Sequence, residues 1–214
     1  MDHQQIIGDT ESFVRNSLKN AEGGHDWWHI HRVWLNAKLI AQSEQSDLLT
    51  VELAALLHDI ADSKFYNGNE EIGPAKAGEF LRKMAVDEKV IEHVQQIIRN
   101  VSFKAGFDGP AFQSIELQIV QDADRLDAIG AIGIARAFSY GGFKGREIYN
   151  PAIGPNLNMT KEAYKNSSGP SINHFYEKLL LLRDKMNTHT GKRLAEQRHA
   201  FMERYLEQFY LECR

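Results

Sequence analysis

The segment VELAALLHDIADSKF sets His58 beside Asp59, near the C-terminal end of a run whose Leu53, Leu56, Leu57 and Ile60 fall on one helical face. Burying an imidazole and a carboxylate together is costly unless each finds a partner. A divalent cation serves both, because neutral imidazole supplies nitrogen and carboxylate supplies oxygen. Adjacent helical residues diverge by about 100°, so both can reach one ion. Taken alone, the pair reads more readily as a surface or hydrogen-bonded pair than as two ligands. Two further segments alter that balance. In GHDWWHIHRVW, His29 opens an amphipathic stretch whose Trp28, Val33 and Leu35 are expected to be buried. In VQDADRLDAIGAIG, Asp122, Asp124 and Asp127 interrupt an otherwise apolar run.

The elements that must position these residues are helical throughout. Apolar residues recur at three- and four-residue intervals with no sustained alternation, which predicts an all-α chain with helices at about 3–20, 29–44, 47–61, 70–86, 88–101, 113–138 with a break near its middle, 171–189 and 191–212. Asp47 and Asp87 stand where N-caps are expected, and Ser171 is a third candidate. Ile172, Phe175, Leu179, Leu182 and Met186 form one stripe that must bury, and Gly191 offers a turn into a last helix carrying Phe201, Tyr205 and Phe209. An αα-hairpin therefore closes the chain. Residues 139–170 hold five glycines and three prolines and predict a long irregular loop; Tyr140, Phe143, Lys144, Arg146 and Tyr149 give it the character of a lid.

With 214 residues, 43% of them hydrophobic and 25% charged, the chain suits one globular domain: a core over about 1–138, the loop, and the hairpin of 171–214. The 25 Lys and Arg against 29 Asp and Glu give a net charge of −4, which argues against a nucleic-acid backbone as the main partner. A single cysteine, Cys213, rules out an intrachain disulfide and a cysteine-rich zinc site. The polar N-terminus is not a secretory signal and the longest apolar run is too short to span a bilayer, so a cytoplasmic protein without a membrane partner is expected. A monomer or a homodimer fits these data.

The three segments together, H, then HD, then D, resemble the HD superfamily of metal-dependent phosphohydrolases. D-x-x-H-x-x-R-V is matched by Asp26, His29, Arg32 and Val33, L-L-H-D by Leu56 to Asp59, and A-D-R-L by Ala123 to Leu126. The resemblance implies a helical fold whose metal ligands are His29, His58, Asp59 and Asp124. It covers about 20–137, and SINHFYEKLL at 171–180 extends it toward a bacterial subgroup that includes nucleoside triphosphate pyrophosphohydrolases. Relatives with two metals usually add histidines between the HD pair and the last aspartate. Here IIRNVSFK has Val101 at that position and His93 is the only histidine in the interval, so one ion is implied. Mn²⁺ suits mixed nitrogen and oxygen ligation, with Mg²⁺, Fe²⁺, Co²⁺ and Ni²⁺ as alternatives. Such a set leaves open positions for water and a phosphoryl oxygen.

The resemblance also places Asp62, three residues after Asp59, where some relatives carry a general acid or base; a solvated residue at a helix end is the competing reading. Lys64, Lys104, Arg125, Lys144 and Arg146 are candidate phosphate clamps by charge and location, each of which alone reads as a solvated cation. Arg32 orients a carboxylate ligand or forms an ion pair. Asp122 and Asp127 compete with Asp124 as the ligand, Asp127 alternatively meeting substrate. Asp26 is an N-cap or a partner of a ligand. His31 points away from His29, and His25, His93, His174, His189 and His199 lack matching neighbours. Gly130 and Gly133 suit close helix packing. The expected activity is hydrolysis of a small phosphorylated substrate, a nucleotide first of all, to monophosphate and pyrophosphate; the alternatives are a nucleotide phosphomonoesterase and a non-catalytic nucleotide-sensing module.

Overall fold

The computed structural model describes residues 2–19, 26–61, 69–101, 112–157 and 168–213. Among them every regular element is a helix, as the apolar spacing predicts. The chain divides into two units, Met1–Asp124 and Arg125–Arg214.

The first unit contains α1 (His3–Ser17), α2 (Trp27–Ala41), α3 (Leu48–Leu57), α4 (Ile72–Lys83) and α5 (Glu88–Asn100), together with α6 (Ile115–Asp127) up to Asp124. Its axis is α3, in which every residue from Thr50 to Leu57 is buried and against which α1, α2 and α5 pack. Side-chain caps fix three helix starts. Asp26 accepts from the His29 amide at 2.9 Å, Asp47 from Leu49 at 3.2 Å and Asp87 from Lys89 at 2.8 Å, each contributing about 1 kcal/mol. The buried face of α2 is His29, Ile30, Val33, Ala37 and Ile40. Trp28 and Leu35, expected inside, are 60% and 47% exposed. Leu35 lies two residues past Val33, about 200° around the helix, so burying one turns the other outward.

Helix α3 ends at Leu57, earlier than the expected 61, with His58 as its C-cap. The carbonyl of Ala55, which a continuing helix would offer to the Asp59 amide, is engaged by the His58 ring at 2.8 Å. His58 and Asp59 thus sit just beyond a buried helix.

The second unit holds α7 (Gly130–Phe143), α8 (Asn173–Glu177), a 3₁₀ segment (Leu179–Lys185) and α9 (His189–Glu212). The break expected within 113–138 falls at 128–129. Gly130 follows it at φ +75, and a Cβ on Gly133 would lie 2.2 Å from the Ala128 carbonyl oxygen. Gly133 therefore serves the tight turn, while Gly130 also lies close to Arg198 of α9. Helix α7 runs through Phe143, so the irregular stretch starts later than 139, and its residues 158–167 lie outside the described set.

The single helix expected at 171–189 is instead α8 followed by the 3₁₀ segment, with Met186 extended. Its stripe is nevertheless buried in full, from Ile172 to Met186. Ser171 is no cap: Ile172 holds that position, and the Ser171 hydroxyl occupies the space where Gly141 would carry a side chain. Gly191 is no turn either, since it lies in the first turn of α9, where its amide donates to the Thr188 cap at 3.0 Å. Phe138, Phe175, Tyr205 and Phe209 pack ring to ring between α7, α8 and α9, while Phe201 is 42% exposed.

Candidate metal centre

Three helices of the first unit deliver the candidate ligands. His29 stands in the first turn of α2, where the Asp26 cap holds its backbone amide, so Asp26 acts as the cap. His58 and Asp59 follow the end of α3. Asp124 lies on α6. His29, His58 and Asp59 each offer an atom within 4.8 Å of the others, and among the described residues this is the one such grouping. Asp124 Oδ1 is 3.6 Å from His29 Nε2 and 4.0 Å from His58 Nε2, and Asp59 Oδ2 is 4.0 Å from His29 Nε2.

These separations fall between the about 3.0 Å of adjacent and the about 4.2 Å of opposite donors around an octahedral ion with bonds of about 2.1 Å, so small side-chain shifts would bring the atoms onto one ion. The protonation pattern fits as well. Ring Nδ1 of His58 donates to the Ala55 carbonyl, which leaves Nε2 as the lone-pair nitrogen. That Nε2 is buried and has no hydrogen-bond partner. An orphaned acceptor beside a second imidazole and two carboxylates is a costly arrangement without a cation and a favourable one with it. The exposure gradient is suited to access: the imidazoles are buried, at 3% and 4% exposure, while Asp59 and Asp124 open to 22% and 38%.

The three carboxylates of the DADRLD stretch differ in their surroundings. Asp122 is wholly buried, and Asp124 lies within 4.0 Å of both imidazoles. Asp127, also buried, accepts a close ion pair from Arg136 within the second unit. Arg198 donates to the Leu126 carbonyl nearby; burial holds its guanidinium below its usual pKa, while the Asp127 charge opposes that shift. Arg136 and Arg198 carry no sequence pattern that marks them, and only the fold shows their function.

Arg32 is half-buried on α2 one turn past His29. Arg125 donates to the Lys185 carbonyl at 2.6 Å. Lys144 lies over the Tyr140 and Phe143 rings at 5.7 and 5.2 Å, and Arg146 over Tyr140 at 5.6 Å. Asp62, Lys64 and Lys104 lie outside the described residues. His93, the histidine between the HD pair and Asp124, bonds Ser114 Oγ at 2.9 Å and approaches Glu116 at 3.5 Å, and Val101 is buried. His31 faces the rings of Trp27, Trp28 and Trp34. No helix among the described residues is long and apolar enough to cross a membrane.

Comparison with known proteins places this chain among relatives. The HD domain family model matches residues 27–129. The uncharacterized protein YpgQ of Bacillus subtilis is 39% identical over 198 residues, 92% of this chain and 88% of that protein. A solved HD-superfamily hydrolase from Bacillus thuringiensis is 44% identical with a TM-score of 0.79, covering 99% of this chain and 98% of its own. The structure of YpgQ in complex with ADP aligns with a TM-score of 0.77 at 35% identity, over 99% of this chain and 97% of that one.

Proposed function

The chain belongs to the HD superfamily of hydrolases, and from its site we propose that it is a metal-dependent phosphohydrolase converting a nucleoside triphosphate to the monophosphate and pyrophosphate. The observation that carries the proposal is the buried, unpartnered Nε2 of His58 facing His29, Asp59 and Asp124. Those four residues would hold one divalent ion, Mn²⁺ by preference. An ion there supplies Lewis acidity toward a phosphoryl oxygen and acidifies water.

The protein's own groups supply the rest. The Ala55 carbonyl keeps His58 in the ligating tautomer. Half-buried Arg32, one turn past His29 on the same helix, is assigned to orienting a carboxylate or meeting a phosphate. Asp62 is assigned the proton transfer to or from the reacting water or leaving group. In the reaction, water adds to the α-phosphorus, the bond to the bridging oxygen breaks, and that oxygen leaves with pyrophosphate. The nucleotide assignment is supported by the ADP complex of YpgQ.

The test is purified protein with Mn²⁺ and a panel of nucleoside mono-, di- and triphosphates. Pyrophosphate release from triphosphates is the expected result. Inorganic phosphate alone would replace this reading with a phosphomonoesterase, and nucleotide binding without turnover would replace it with a sensing module.

A further inference from the structure

Glu52 is a carboxylate in the middle of the fully buried helix α3, with its side chain 6% exposed. Its partners come from two other helices. Oε1 accepts from Trp34 Nε1 of α2 at 3.0 Å and lies 3.6 Å from Lys38 Nζ, while Oε2 meets His3 Nε2 of α1 at 2.8 Å. Lys38 in turn stands 4.8 Å over the Trp34 ring. Trp34 and Glu52 are one point of contact between α2 and α3. Another is His29 against His58, the residue that caps α3, with the two rings edge to face at 5.3 Å.

Going from the first contact to the second, the chain steps back along α2 from 34 to 29 and forward along α3 from 52 to 58. These are axial distances of about 7.5 and about 9 Å in opposite chain directions, as an antiparallel pair requires. A slip of one residue between the helices would move one imidazole past the other by about 1.5 Å. Metal ligation tolerates about 0.2 Å. Apart from Thr50 and Glu52, α3 is Leu, Val and Ala, and such packing carries no directional contact to fix one register. A directional bond from a buried carboxylate to an indole N–H has one register.

We propose that Glu52 is a positioning residue: through Trp34 it sets the register of α2 on α3 and thereby the separation of His29 and His58. Its consequence for metal affinity rests on the metal-centre reading above; its geometry does not.

The test uses the full chain with Glu52→Ala, Glu52→Gln and Trp34→Phe, and with Leu81→Ala as a control that destabilises the buried core of α4. In metal-free protein, nuclear Overhauser contacts between the His29 and His58 rings are expected to weaken at least twofold in Glu52→Ala and Trp34→Phe. They persist in Glu52→Gln, which keeps an acceptor for Trp34, and in Leu81→Ala, whose loss of Tm is not local to the α2–α3 pair. With Mn²⁺, the first two variants bind on the order of tenfold more weakly than wild type, and the other two do not. Unchanged ring contacts in Trp34→Phe overturn the proposal, whether or not Glu52→Ala folds. Wild-type protein that takes up no Mn²⁺ would sink the metal reading instead, with the ring contacts still deciding the role of Glu52.

Discussion

The Nδ1 of His58 donates to the carbonyl of Ala55 at 2.8 Å, and that one bond determines which nitrogen of the ring faces the cluster. The bond is made three residues back along the same helix, so it forms as soon as α3 forms and does not wait for an ion. Replacing His58 removes the preset ligand while leaving α3 intact. His58→Ala is expected to lose on the order of 100-fold in Mn²⁺ affinity and to lose hydrolysis with it, at unchanged helical circular dichroism. Metal analysis after dialysis, beside the spectrum, checks this.

Asp122 and Asp124 are two residues apart and stand in different surroundings. Asp124 is 38% exposed on its side chain and reaches both imidazoles, whereas Asp122 is wholly buried. Asp124→Asn should weaken Mn²⁺ binding with little change in stability. Asp122→Asn should cost about 1–3 kcal/mol of stability, by altering a buried hydrogen-bonded group, and leave metal affinity near wild type. Paired titrations with Mn²⁺ and urea separate the two, and the opposite pattern would transfer the ligand role to Asp122.

Asp127 is a substrate candidate by its helical side, yet it is buried against Arg136. Removing it strands a partly buried guanidinium, and Arg198 beside it also loses a compensating charge. Asp127→Ala is expected to cost about 2–3 kcal/mol in urea unfolding. The double variant with Arg136→Ala should recover part of that loss. A full loss in both would mean that Asp127 acts through some other partner.

The proposed ligands His29, His58, Asp59 and Asp124 can be named from the sequence through the three motifs that carry the family resemblance, and His58 and Asp59 stand out further because they follow an apolar run, where a polar side chain needs a reason. Glu52 carries the same signal, a lone acid in LLTVELAALL, but its partners Trp34, Lys38 and His3 come from other helices, and no local pattern names them. Helix existence is legible up to α7 and fails at 171–189. There the steps of three, Ile172 to Phe175 and Leu179 to Leu182, suit a 3₁₀ turn as well as an α-helix, while the steps of four span the backbone break at Lys178, with φ −146, and the end of the 3₁₀ segment at extended Met186. Burial can be read from that spacing, but the hydrogen-bond pattern cannot.

His174 is half-buried on α8, and burial above all, then the charges of Lys178 and Arg146, pushes its pKa down to about 4. The unfolded chain takes up a proton on this ring near its ordinary pKa of 6.5, and the native state does so only near 4. The native state therefore binds fewer protons in that window and loses stability as pH falls through it, by up to ~1.4 kcal/mol per pH unit. Above about pH 6.5 the ring is neutral in both states and contributes no slope. His174→Gln should flatten the acid-side decline measured by urea unfolding between about pH 6.5 and pH 4.5. Equal slopes in the two proteins would refute the assignment.

Two glycines in helices make opposite predictions. Gly8 lies on the exposed side of α1, and nothing stands within 4 Å of the place a methyl group would take, so alanine there removes backbone freedom from the unfolded chain without a native penalty. Gly8→Ala is expected to stabilise by about 0.5–1 kcal/mol. Gly133 lies in α7, but a Cβ would come within 2.2 Å of the Ala128 carbonyl oxygen, a backbone atom fixed by the turn after α6. Relief requires the 128–130 turn to open, and that turn already depends on the positive φ of Gly130. Gly133→Ala should therefore cost more than about 2 kcal/mol, and thermal unfolding of the two variants beside wild type should move in opposite directions. Should Gly133→Ala prove as stable as wild type, the turn would be looser than this packing describes.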